Sequence, residues 1–179
     1  MHVLAAAATL GALTGGRTFA VSALLARALS DVAPNAESGP LTGRLASGTG
    51  TRVLTGLAVT ELLVDKLPII GPRTEPLPLL ARAVAGGVAG AASAELLGSA
   101  KTLPVLAGAG AALVGAHLAY HLRRRIRRKA DVADAVVAIA EDAVVIGIGA
   151  EVVDGLIEEA LARAARQGHR GAALVGAAG

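Results

Sequence analysis

The chain has 179 residues, 54% of them hydrophobic and only 17% charged, with a mean hydropathy of +0.61. The length suits a single domain, but a soluble core of this size has no room for so many helices that are apolar all round. A net charge of +3 could suggest nucleic acid, yet aromatic residues make up 1% and cysteine is absent; base stacking therefore lacks material, and disulfides, thiolate nucleophiles and Cys-ligated metals are excluded.

The first apolar segment covers residues 3–29, longer than the roughly 20 residues a straight membrane span needs. It is unlike a cleaved signal peptide, because it lacks a basic start, its apolar stretch is too long, and Arg17 sits in its middle. The paired Gly15 and Gly16 weaken the helix beside Arg17. The span is therefore either strongly tilted or locally broken there, a break leaving backbone groups to line a cavity. Residues 31–50 are rich in Gly, Ser, Thr and Pro and read as a loop. Ser47 or Thr49 is placed to cap the next helix, which runs to Leu67 and is ended by Pro68.

After an irregular, proline-rich connection, a third span covers residues 79–97. Gly86 and Gly90 inside it, like Gly11 and Gly15 in the first, have the four-residue spacing that lets helix backbones approach closely. The fourth span, residues 103–122, leads into a basic run, Arg123, Arg124, Arg125, Arg127, Arg128 and Lys129. A run of cations directly after an apolar span reads as a cytoplasmic loop, a topology anchor and lipid-headgroup contact. The fifth span covers residues 134–153. Residues 154–170 mix charge with Leu and Ala at helical spacing, as in an interfacial or solvated helix. The expected fold is thus an all-α polytopic transmembrane bundle of about five spans. Residues 1–155 form the transmembrane domain and residues 156–179 a helical tail. A faint internal echo links Arg17-Thr18 with Arg73-Thr74, each followed by Leu-Leu-Ala-Arg-Ala at a spacing that differs by one residue.

Charges inside the apolar segments carry the functional information, since an ionisable group in lipid is costly unless paired or wet. Glu61 and Asp65 lie four apart on one face of the second helix, with Lys66 adjacent. Glu61 is roughly 10 Å from that helix's end, and Glu141 roughly 10 Å from the start of the fifth, so the two acids reach similar depth from one side. Arg17 is the natural counter-charge, able to hold a carboxylate with two hydrogen bonds. Arg17 and Lys66 against Glu61, Asp65, Glu141 and Asp142 leave acids in excess. Such an excess either binds a cation or takes up protons. The alternative is that these residues only form ion pairs that lock helices together.

His117 and His121 have a spacing that can serve a metal, but no third ligand is near in sequence. Gly-rich stretches such as Gly108-Ala109-Gly110 lack the Gly-Lys-Ser/Thr of a phosphate loop. Ser22 and Ser93 have no His/Asp framework. No enzymatic activity and no cofactor is expected.

Several of these motifs together resemble a bacterial integral membrane family known as domain of unknown function 4126. They are the run from Thr14 to Phe19, the run from Glu61 to Pro68, Arg73-Thr74, Leu80 to Ala83, Arg123 to Arg125, and Ala140-Glu141-Asp142-Ala143. The resemblance spans residues 11–149; the histidine pair and the long tail are not features of that family. It implies a small multi-span membrane protein and assigns no activity. The residues themselves lead us to expect a transporter or channel for a small cation or a proton-coupled solute. Arg17, Glu61, Asp65, Lys66, Glu141 and Asp142 would form its substrate- or ion-binding site. Expected partners are the lipid bilayer, the solute and further copies of the chain in a homo-oligomer, and not nucleic acid.

Overall fold

Gly15-Gly16-Arg17 ends the first helix. In the computed structural model, which describes residues 2–32, 39–64, 76–129 and 134–176, the first apolar segment forms two helices, α1 (Val3–Gly16) and α2 (Ala20–Val32). Arg17 leaves α1 with extended backbone, φ −135° and ψ 107°, while its N–H still donates to the Leu13 carbonyl at 3.0 Å. The tilted alternative is therefore set aside for the broken one. Then follow α3 (Pro40–Ala46), α4 (Gly48–Val64), α5 (Pro76–Leu96), α6 (Thr102–Lys129) and α7 (Asp134–Gly176). All regular structure among the described residues is helical.

The break lets the two halves of the segment pack differently. α1 lies against α5 and α6, whereas α2 lies against α3, α4 and α7. The first group meets through glycine. A Cβ added at Gly11 or Gly86 would run into the Gly108 carbonyl, and one at Gly115 into the Ala12 carbonyl. Gly15 and Gly90 are equally tight, against Ala112 and Pro104. Both four-residue glycine spacings thus serve close backbone approach, where dispersion contacts replace side-chain interdigitation. The second group is an ordinary aliphatic core, with Val21, Leu25 and Leu29 of α2 buried in one cluster with Val153, Leu156 and Ile157 of α7.

Two helices among the described residues are long and apolar enough to cross a membrane, Pro76–Leu96 and Thr102–Ile126, which points toward membrane association. That is fewer than the expected five. α1 and α2 have 14 and 13 residues, so each is roughly 20 Å long, short of a hydrocarbon core of about 30 Å. α4 has 17 residues. α7 has length enough, at 43 residues, but Glu141, Asp142, Glu151 and Asp154 interrupt its apolar stretches. Only 28% of the apolar stretch of α6 is buried. Leu106, Val114, Leu118 and Leu122 of α6 and Val136, Ile139 and Val144 of α7 are exposed, where a helix in a soluble core would hide them.

Three boundaries differ from the sequence expectation. The segment 31–50 is not loop throughout, because Pro40 opens α3 and a carboxylate from α5 caps it. Glu95 Oε1 accepts hydrogen bonds from the Leu41 and Thr42 N–H groups, both at 2.9 Å, and from the Thr42 hydroxyl at 3.0 Å. Its Oε2 binds the Lys101 ammonium. The run 123–129 is not a loop but the end of α6, where arginine is a good helix former and cations complement the C-terminal dipole. α7 does not stop near residue 155; it continues past Val153, Leu156 and Ile157, which α2 buries.

Ser47 does cap α4, its Oγ accepting from the Gly50 N–H at 3.0 Å. α5 closes at Gly98 (φ 59°), with Ser99 N–H donating to the Ala94 carbonyl at 2.8 Å, the left-handed ending that glycine permits. Asp65, Lys66, Pro68 and the proline-rich connection that follows them lie outside the described residues, apart from its last part at the start of α5.

Candidate functional site

The break at residues 17–19 is where charges from distant parts of the chain meet. Arg17 is fully buried. Its Nε donates to Asp142 Oδ1 of α7 at 2.5 Å, and a terminal guanidinium nitrogen lies 2.5 Å from the same oxygen. A cation with a side-chain exposure of 1% needs such a partner, because an uncompensated buried charge would cost several kcal/mol.

Glu61 of α4 plays a different part. Its Oε1 accepts the Thr18 N–H at 2.6 Å and its Oε2 the Phe19 N–H at 2.9 Å. The Phe19 carbonyl in turn receives the Ala23 N–H at 2.9 Å, so Phe19 stands at the entrance to α2. The carboxylate thus satisfies backbone donors that the break frees, and its negative charge faces the positive end of the α2 dipole. A capping side chain normally comes from the chain just ahead of the helix. Here it comes from another helix, some forty residues on.

Glu141 precedes Asp142 in α7 but faces another way. Its Oε1 lies against Gly16, where an added Cβ would sit 3.3 Å away. Its Oε2 is 3.9 Å from a guanidinium nitrogen of Arg123 on α6. Both side chains are mostly buried, with exposures of 17% and 18%. They line a crevice of about 450 Å³ between α1, α6 and α7 whose other walls are apolar, including Leu13, Ala119, Leu122, Ala140 and Val144. This volume is in the range of small-molecule pockets, about 300–1,000 Å³.

Of the six site residues expected from sequence, Arg17, Glu61, Glu141 and Asp142 converge on this node; Asp65 and Lys66 lie outside the described residues. Sequence reasoning missed Arg123 as a site residue, having assigned it to topology and lipid headgroups. The signal was available: Arg123 is about 9 Å before the end of α6 and Glu141 about 10 Å after the start of α7, so a hairpin sets them level. Glu95 was missed as well, since nothing local marks a residue near the end of α5 as the cap of α3.

The histidine pair does not join a ligand set. His117 Nδ1 is 2.8 Å from the Leu113 carbonyl of its own helix, and His121 packs edge-to-face on Tyr120 at 5.3 Å. Among the described residues no three histidines or acids are grouped to hold a metal ion.

Comparison with family models, with curated proteins and with solved structures gives no match to this chain.

Proposed function

We propose that the chain is a multi-pass membrane protein that moves a small cation or a proton-coupled solute, with Glu141 as the exchanging carboxylate. The observation that carries this reading is the meeting of Arg17, Glu61, Glu141 and Asp142 at a broken helix. Broken helices with converging charges are how many secondary transporters build a site at bilayer depth. The three acids divide the work. Asp142 neutralises Arg17, and Glu61 holds the start of α2. Glu141 borders the crevice, 3.9 Å from Arg123. Arg123 is then the counter-charge that Glu141 exchanges against the solute or proton.

The exposed apolar faces of α5, α6 and α7 support burial in lipid. Some of that surface is available for contact between copies, and the working unit in this reading is a homo-oligomer. The basic end of α6 faces the cytoplasm, following the usual excess of Lys and Arg on that side. The resemblance to domain of unknown function 4126 belongs to the same proposal.

The test is flux. Purified protein in liposomes should carry a pH-dependent or ion-dependent current that Glu141→Gln abolishes while the protein still folds. Unchanged flux in that variant would reject the assignment.

A second reading, a structural or assembly protein, draws on the close Arg17–Asp142 and Glu61 contacts, which would lock helices equally well in a protein that moves nothing. It expects every charge-removing variant at the node to lower stability or oligomer yield, with no flux in any of them.

A further inference from the structure

We infer that the crevice between α1, α6 and α7 seats one acyl chain of an anionic phospholipid, whose phosphate is held by the arginines at the end of α6. The inference rests on the membrane reading but not on transport. The crevice follows α6 from Gly115 to Ile126, roughly 17 Å of helix. Apart from Arg123 and Glu141 its lining is aliphatic, with Leu13, Leu122, Val136 and Val144 among the walls. α6 and α7 touch little, so the crevice opens between them, where its lining residues Leu122, Val136 and Val144 are exposed.

What selects the occupant is charge at one end. Beyond Leu122 the same helix carries Arg123, then the exposed Arg124 and Arg125, and Arg127, Arg128 and Lys129 follow in sequence. Basic pockets between membrane helices hold anionic headgroups in this way. A neutral lipid would satisfy the aliphatic walls alone; a free phosphate would satisfy the arginines alone. Only an anionic phospholipid satisfies both. The chain seated there would close the charged node off from bulk lipid on its open side.

The test is native mass spectrometry of protein released from nanodiscs with equal phosphatidylglycerol and phosphatidylcholine. The wild type should retain one phosphatidylglycerol, and excess glycerol 3-phosphate should not displace it. The double variant Arg124→Gln/Arg125→Gln should lower the preference roughly thirtyfold, the effect of two surface cations. Ala119→Phe, which fills the crevice and leaves the arginines alone, should abolish retention of either lipid. Ala140→Phe on the facing helix serves if Ala119→Phe does not fold. Equal retention of the two lipids would overturn the inference. So would displacement by glycerol 3-phosphate, or retention by a folded wall variant. A chain that never enters the nanodisc would defeat the membrane reading instead.

Discussion

Arg17 and Asp142, 125 positions apart in the chain, share an ion pair at 2.5 Å in which the arginine is almost wholly hidden. This contact ties the break in the first apolar segment to α7. Removing one partner leaves the other charged and dry. Arg17→Met should therefore cost about 3–5 kcal/mol, the usual penalty for an orphaned buried charge. Arg17→Met combined with Asp142→Leu should recover most of the loss. Thermal unfolding in detergent of the two single variants and the double variant measures the coupling. A double variant as unstable as the sum of the singles would show that the two side chains do not interact.

Glu61 should behave as a cap. Glu61→Gln keeps one acceptor oxygen and loses the charge, whereas Glu61→Ala leaves the Thr18 and Phe19 N–H groups without their acceptor. The alanine variant should cost about 1–3 kcal/mol and the glutamine variant less. Hydrogen exchange locates the effect: the amides of Thr18 and Phe19 should exchange faster, ahead of those in α5.

Two glycines of α6 make a matched pair. Gly108 faces the Gly86 carbonyl, and an added methyl has no room; Gly110 meets nothing within 4 Å. Gly108→Ala should reduce folded yield sharply. Gly110→Ala should stabilise by about 0.5–1 kcal/mol through helix propensity alone. The melting temperatures of the two variants should move in opposite directions.

Acid should act weakly on the far part of α7. Arg163 donates to Glu159 at 2.9 Å and to the Leu97 carbonyl at 2.6 Å, which joins α7 to the end of α5. The Arg163 hydrogen bond holds the Glu159 carboxyl below the ordinary carboxylate range. A lowered folded-state value means the contribution is present at neutral pH and is lost as pH falls through it. Arg163→Ala should remove this part of the acid sensitivity. Unfolding midpoints for wild type and variant should differ more near about pH 7 than near about pH 3.

Much of the node was legible because its causes are local or geometric. Paired glycines next to a buried arginine marked the break, and acids interrupting apolar segments marked Glu61 and Glu141, which reach Thr18 and Phe19 on one side of it and Gly16 on the other. Which acid would hold Arg17 was not legible. Glu141 and Asp142 are neighbours, and about 100° of helix rotation separates their directions. Packing of α7 against α2 decides it. α3 was read as loop because its N-terminal donors are satisfied by Glu95, more than fifty residues away. One span was lost for a related reason: hydropathy sees an apolar segment of 27 residues, not two short helices packing against different neighbours.

In the membrane reading the apolar surface of α6 and α7 faces lipid while the basic end of α6 faces water. The chain has no cysteine, so single cysteines can be introduced without background. Leu118→Cys and Ile139→Cys, on exposed apolar faces, should resist a water-soluble maleimide in reconstituted liposomes, and Arg124→Cys, at the exposed basic end of α6, should react with it. Rapid labelling of Leu118→Cys and Ile139→Cys, at the rate of a cysteine in free solution, would contradict the account.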